Sequence, residues 1–121
     1  MAEYALTSAP YQGLNSNYKR ATLLPVVLSF ASGVPSVVAA RSAPGFTIAG
    51  DTGVYTGTAP KGDRGVFWIQ MLTATADAIA TVTSYDPDAG TFAFKVAGDD
   101  GNALDVATGD EAWLFFFVEG G

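Results

Sequence analysis

The sequence predicts an all-β domain, an antiparallel β-sandwich or small β-barrel, which follows an extended N-terminal arm. Runs rich in Val, Ile, Thr and aromatic residues recur along the chain, and clusters of Gly, Pro, Asp and Ser separate them. No convincing helical period accompanies them. Because 121 residues suffice for one domain with a sizeable core, we divide the chain into an arm, 1–21, and a single β domain, 22–121.

The predicted arm carries isolated tyrosines in a polar setting. Tyr4, Tyr11 and Tyr18 stand among Ser, Asn, Gly and Pro, and the basic pair Lys19-Arg20 follows them. One interpretation is a flexible terminus with no binding role. The other is a binding segment, because Tyr combines a large contact area with a modest entropy cost. On the second interpretation, these five residues contact a partner surface.

Strand and turn signals alternate through the first half of the β domain. Pro25 cannot donate a ladder hydrogen bond, so it marks an edge, a bulge or the start of its strand. The turn chemistry of Gly, Ser and Asp separates the elements. The predicted elements are strands over 22–30 and 35–41 with a turn at Ser32-Gly33, and a hairpin of 46–49 and 53–58 closed around Gly50-Asp51.

The second half continues the pattern with longer strands. In its clearest hairpin loop, Pro87 suits the second position of a turn and Gly90 a left-handed or bulge position. Strands at this spacing predict a sandwich or barrel. The predicted elements are strands over 65–73 and 79–85, the hairpin loop 86–90, a strand over 91–96, an acidic loop over 98–110 and a final strand over 111–119.

Two of these strands, 65–73 and 111–119, are apolar on both faces. Side chains alternate along a strand, and a strand with two apolar faces either lies centrally in a thick core or turns one face to another copy of the chain. Because apolar residues make up 49% of the chain and charged residues 15%, we predict self-association. The predicted interface residues are Phe67, Ile69, Met71, Trp113, Phe115 and Phe117.

The composition excludes several classes of function. A net charge of −6, with scattered basic residues, argues against nucleic acid as a partner. The absence of Cys and His removes disulfides, thiolate metal sites and the commonest proton shuttle. The apolar runs are too short to span a membrane. Met-Ala-Glu-Tyr at the start has no secretory-signal pattern, so we expect synthesis in the cytoplasm.

The acidic loop 98–110 is the candidate ion site. Clustered oxygen ligands are what Ca²⁺ needs, but the spacing fits no EF-hand, and acidic residues in such loops are usually turn formers. Ser and Thr hydroxyls have no His to activate them. We therefore predict no catalytic residue, no metal site, no cofactor and a protein that is not an enzyme. The acidic and amide residues of the loop are Asp99, Asp100, Asn102, Asp105 and Asp110.

The tryptophans leave a different class of function open. Exposed aromatic rings can stack on sugar rings, so a carbohydrate-binding β-sandwich is an alternative. It requires Trp68 or Trp113 to be exposed. Aromatic residues at strand spacing belong more often to a core.

The layout as a whole resembles a known family. A tyrosine-bearing polar arm, the segments Gly45-Phe46-Thr47-Ile48 and Gly53-Val54-Tyr55-Thr56, a Pro-Lys-Gly loop, an acidic loop and an apolar final strand follow one another. This order resembles the small virion structural proteins of tailed bacteriophages, and most of all a head decoration, or capsid cement, protein. Such proteins are similar in size, poor in cysteine and rich in β-structure.

The resemblance implies a function and a set of partners. It implies a homotrimer on the capsid surface of a virion, made in the host cytoplasm, that stabilises the capsid. The arm residues Tyr4, Tyr11, Tyr18, Lys19 and Arg20 would then bind the major capsid protein. A tail, neck or fibre component of the same virion is the alternative within this family.

Overall fold

The chain forms a β-sandwich of two antiparallel four-stranded sheets. The computed structural model describes residues 21–73 and 77–120. The prediction of an all-β antiparallel fold is confirmed, and the sandwich is the form it takes. The elements are β1 (Thr22–Ala31), β2 (Val34–Val37), a 3₁₀ turn (Ala39–Arg41), β3 (Thr47–Asp51), β4 (Val54–Thr58), β5 (Arg64–Leu72), β6 (Ile79–Asp86), β7 (Thr91–Ala97) and β8 (Glu111–Glu119).

The first sheet contains the first and last strands of the described chain, and the second sheet contains strands from its middle. The first sheet has the order β2-β1-β8-β5, and the second has the order β3-β4-β7-β6. Strand β8 lies inside the first sheet, where it pairs with β1 on one side and β5 on the other. The final strand is therefore central to its sheet, with one face toward the second sheet.

Two-residue turns close the hairpins β1-β2 and β3-β4. Ser32 and Gly33 have positive φ values of 50° and 82°, and Thr52 and Gly53 have nearly the same pair, 50° and 81°. Positive φ at both central positions defines the type I′ turn, whose twist matches the flanking strands. The predicted turn at Gly50-Asp51 is therefore wrong by two residues, because these residues pair with Tyr55 and Val54 in the ladder.

The predicted strand over 35–41 is shorter than expected. It ends at Val37, and a 3₁₀ turn over Ala39–Arg41 follows. Beside this turn the chain bonds to the edge of β1: Ala43 donates its N–H to the Pro25 carbonyl at 2.8 Å, and Val38 donates to the Val27 carbonyl at 2.9 Å. Since N–H and C=O of one residue in an antiparallel strand point to the same side, the missing donor of Pro25 costs no bond to β8.

An aromatic cluster fills one end of the core between the sheets. Phe67 stacks on Phe116 with ring centroids 4.6 Å apart and planes at 11°. Phe92 and Tyr85 meet these rings edge-on at 5.0–5.5 Å. Through these contacts, β5 and β8 of the first sheet pack on β6 and β7 of the second. Such rings contribute buried area and a favourable edge-to-face geometry.

The Tyr55 side chain joins the β1-β2 turn to the β3-β4 turn. Its side chain is fully buried, and its ring lies 5.5 Å from that of Phe30 and 5.2 Å from that of Phe94. Its hydroxyl donates to the Gly33 carbonyl at 3.0 Å and accepts from the Gly53 N–H at 3.2 Å. Burial raises the pKa of the Tyr55 phenol above its usual 10.0. One hydroxyl thus satisfies a group in each of the two type I′ turns.

The predicted arm residues Tyr4, Tyr11, Tyr18, Lys19 and Arg20 lie outside the described residues, and their role stays a prediction. Among residues 21–73 and 77–120, no helix has the length and apolar character to cross a membrane.

Candidate interaction surface

The outer faces of the two sheets differ in chemistry. On the first sheet, large apolar side chains point away from the core. We call this surface the aromatic face. It consists of Leu23 and Pro25 from β1, Val66, Trp68 and Leu72 from β5, and Trp113, Phe115 and Phe117 from β8.

Strand register builds the aromatic face in rows. Phe115 lies opposite Pro25 on one side and Trp68 on the other, and Phe117 lies opposite Leu23 and Val66. Residues opposite each other on the same face of a sheet are in contact range. The rows therefore join three strands into one continuous surface.

The rings of the aromatic face pack on one another and remain accessible. Trp68 stacks on Phe115 with centroids 5.7 Å apart and planes at 25°, and Phe115 lies 6.5 Å from Trp113. Trp68 is 48% exposed, Val66 55% and Phe117 38%. Isolated exposed apolar residues are normal on a protein surface, whereas a contiguous group of them marks an interaction site.

A charged cluster borders one end of the aromatic face. The Arg41 guanidinium lies 5.0 Å from the centre of the Trp113 ring and forms an ion pair with Glu111 at 3.1 Å. The Trp113 indole N–H also donates to the Glu111 carboxylate at 3.0 Å. This hydrogen bond, and next the one from Arg41, hold the pKa of Glu111 below its usual 4.5.

A second ion pair borders the opposite end. Arg64, the first residue of β5, faces Glu119, the last of β8, with an N–O distance of 3.6 Å. An apolar centre with a polar rim is the usual anatomy of a protein interface. Both rim pairs are partly exposed, so we expect them to set orientation more than stability.

Three predicted interface residues face the core instead. Phe67 is 5% exposed inside the aromatic cluster, and Ile69 and Met71 pack against the core. The prediction that these three side chains form an outer contact is therefore corrected. The accessible row of β5 is the alternate one, Val66, Trp68, Gln70 and Leu72, which the interface prediction left out.

The side of the strand on which the polar residues lie could have identified this row. Arg64 and Gln70 share the even-numbered side of β5, and a buried Gln or Arg without partners is costly, so that side faces outward. The same reasoning applies to β8, where Glu111 and Glu119 share the side of Trp113, Phe115 and Phe117. The structure places those three on the outer face; their contact with a partner stays a prediction.

The outer face of the second sheet is built from small polar residues. Thr47 and Thr58 lie opposite each other, with their hydroxyl oxygens 2.6 Å apart, and Thr91 continues the row on β7. Ala49, Thr56 and Ala93 form the next row. This face holds only separate apolar residues, such as Val54 and Ile79, and no aromatic side chain points outward from these rows.

Two acidic residues outside the ion pairs, Asp100 and Asp86, serve as turn formers. Asp100 accepts hydrogen bonds from the N–H and the side-chain amide of Asn102, which lower the Asp100 pKa below its usual 3.8. Asp86 accepts from the Ala89 N–H in the β6-β7 hairpin. Within the described ranges, no three Asp or Glu side chains group closely enough to hold a metal ion.

Comparison of the chain with known proteins finds no matching family model, no matching curated protein and no matching solved structure.

Proposed function

We propose that this chain is a non-enzymatic structural protein of a tailed-bacteriophage virion, which decorates and stabilises the capsid by binding the major capsid protein. The observation that supports this proposal is the aromatic face. A sandwich needs one apolar face per sheet to form its core, and the first sheet has two. The second apolar face gives folding no benefit that a polar face would not, so we infer that it contacts another protein.

The size of the aromatic face suits a contact that is one of several. Nine-residue strands extend about 30 Å and the three strands of the face span about 15 Å. The resulting area, on the order of 500 Å², is below the roughly 800 Å² per partner of a standard stable interface. A protein that uses this face therefore needs additional contacts, which the predicted arm, 1–21, and other copies of the chain would supply.

Decoration of a capsid explains why several weak contacts suffice. A clamp that binds only the assembled lattice stabilises it by mass action. In an oligomer, docking of one subunit gives the others a high effective concentration. The net charge of −6 would limit adhesion to the packaged genome.

Quantitative mass spectrometry of virus particles tests the assignment to the capsid. The particles would be purified from a culture that carries this gene. We expect the chain in a fixed, near-lattice ratio to the major capsid protein. A few copies per particle would indicate the alternative, a tail, neck or fibre component, and absence from the particles would refute a virion role.

A matched pair of double variants tests the aromatic face. We expect Trp68→Ser with Phe117→Ser to abolish binding to particles that lack the protein, because it removes two exposed rings from the face. Val54→Ser with Ile79→Ser removes two exposed apolar side chains from the second sheet and should leave binding intact. Both variants should unfold cooperatively in urea. Equal binding by the two variants would contradict the proposed docking face.

The exposure of Trp68 also favours a second candidate, a carbohydrate-binding module. Trp68 and Phe115 form a stacked pair, and Gln70 lies beside them on the same outer row. Titration with bacterial surface polysaccharides, followed by tryptophan fluorescence, separates the two functions. A saturable change that is lost in Trp68→Ser, from a chain that binds no particle, would replace the capsid role with this one.

A further inference from the structure

Strand β5 is the least protected sheet edge among the described residues. It is nine residues long, has Gln70 as its one polar side chain after Arg64, and contains no Pro, Lys or bulge. The other three edge strands have protective features. Strand β2 has four residues and contains Pro35, β3 has five residues and ends at Asp51, and β6 has an irregularity between Val82 and Ser84. Natural proteins protect edges in these ways because a long flat edge pairs with another strand.

The hydrogen bonds of β1 show which backbone groups of β5 point outward. Pro25 and Val27 accept bonds from Ala43 and Val38, so their backbone groups point away from β8. Their partners across the ladder, Phe115 and Trp113, must then point to β5, opposite Trp68 and Gln70.

By the same alternation, the odd-numbered residues of β5 direct their N–H and C=O groups to the outer edge. These residues are Gly65, Phe67, Ile69 and Met71. Of these groups, the Met71 carbonyl accepts a hydrogen bond from the Gln70 side-chain amide at 3.2 Å. The edge therefore presents an almost complete set of donors and acceptors to a partner strand.

Strand β5 can pair with a second copy of itself in the antiparallel direction without placing like charges opposite each other. When two copies are centred on Trp68, residue 64 lies opposite 72 of the other copy, 65 opposite 71, 66 opposite 70 and 67 opposite 69. The outward-pointing odd residues then face one another as hydrogen-bonded pairs. Trp68 meets Trp68 of the second copy, an aromatic cross-strand pair, and the strand's one charge, on Arg64, lies opposite Leu72.

We propose that β5 pairs with β5 of a second copy of this chain in this register, which joins the first sheets of two subunits into one eight-stranded sheet. The contact is isologous, so it closes at two subunits and leaves no free β5 edge. It also makes the two aromatic faces continuous across the symmetry axis, which doubles the area that one partner surface can cover. This pairing deepens the proposed self-association but does not depend on the capsid role.

Two double variants of the full chain test the register. In the proposed pairing, position 66 of each copy lies opposite position 70 of the other. Val66→Lys with Gln70→Lys therefore gives two cross-strand pairs of lysine with lysine. Val66→Glu with Gln70→Lys gives two cross-strand pairs of glutamate with lysine. Both change the same two exposed positions. Because directly opposed like charges destabilise and opposite charges stabilise a strand pair, we expect the dissociation constant of the first variant to exceed that of the second by about tenfold or more.

Sedimentation equilibrium measures these constants, and amide hydrogen exchange supplies a residue-specific readout. The unchanged chain should sediment at twice its 12.5 kDa mass. Protection of the Phe67 and Ile69 amides should rise with protein concentration, whereas the Trp68 and Gln70 amides, bonded to β8, should stay protected at all concentrations.

Three results would overturn the pairing. They are equal dissociation constants for the two variants, a mass of three subunits, and concentration-independent protection of Phe67 and Ile69, which would mean that a segment of the same chain covers the edge. Each leaves the capsid assignment standing. Conversely, absence of the chain from virus particles would refute the capsid role and leave the β5 pairing unaffected.

Discussion

At the scale of single residues, two tyrosines with buried hydroxyls differ in the hydrogen bonds that those hydroxyls form. The Tyr55 hydroxyl bonds to Gly33 and Gly53 and so joins both type I′ turns. The Tyr85 hydroxyl is buried and has no hydrogen-bond partner among the described residues. Removing a hydroxyl that satisfies two buried backbone groups is costly, whereas removing an unpaired one relieves a desolvation cost.

This difference predicts opposite outcomes for two chemically identical substitutions. We expect Tyr55→Phe to lower the free energy of unfolding by about 1–3 kcal/mol, because it leaves a buried carbonyl and a buried N–H unsatisfied. Tyr85→Phe, the matched control, should be neutral or stabilising. Urea unfolding with an unchanged m-value measures both. A loss in Tyr85→Phe as large as that in Tyr55→Phe would contradict the hydrogen-bond assignment.

At the scale of elements, strand β5 has three roles, one for each of its two faces and one for its outer edge. Its odd side chains Phe67, Ile69 and Met71 pack in or against the core, its even side chains contribute to the aromatic face, and its outer backbone edge has no neighbouring strand in the sheet. The period of two separates these roles between adjacent residues. Neighbouring aromatic residues should therefore respond to truncation very differently.

Alanine substitutions at Phe67 and Trp68 check this separation. Phe67→Ala should lower the free energy of unfolding by about 3–5 kcal/mol, because it leaves a cavity beside Phe116 and Phe92. Trp68→Ala should cost about 1 kcal/mol, because it loses one exposed stacking contact with Phe115. Chemical unfolding at a concentration where the subunits are separate measures both. Equal losses would mean that the register of β5 and β8 is wrong.

At the scale of the whole molecule, the sandwich is asymmetric. The first sheet has an aromatic outer face with ion pairs at its ends, and the second has an outer face of Thr and Ala rows. The chain as a whole carries a net charge of −6. Pairing of two copies through β5 must therefore overcome electrostatic repulsion between like-charged bodies.

Added salt should strengthen self-association for this reason. Raising the ionic strength from about 0.01 M to 0.15 M shortens the Debye length from about 30 Å to about 8 Å. We expect the dissociation constant to fall as this repulsion is screened. Sedimentation across a salt series measures the effect. The control, Val54→Ser with Ile79→Ser, leaves the net charge and β5 unchanged and should show the same salt dependence. Weaker association at higher salt would point to an interface held by opposite charges, contrary to the proposed β5 pairing, which places no opposite charges together.

The sequence by itself determined the class of fold, most strand positions and the existence of two apolar strand faces. The final strand runs from Glu111 to Glu119 as predicted, because its alternation and flanking turn residues are local signals. The turn at Thr52-Gly53 was missed since Gly50-Asp51 offers equally good local turn chemistry. Cross-strand pairing, which local residues do not encode, chose between them.

Only the tertiary structure decided which apolar row is core and which is surface. Both rows of β5 are apolar, and hydrophobicity alone ranks Phe67 and Trp68 nearly alike. What separates them is the position of the second sheet, which covers the odd row with Phe92 and Tyr85 and leaves the even row uncovered. The exposed edge of β5 likewise follows from strand order, a relation between residues distant in sequence that no local pattern contains.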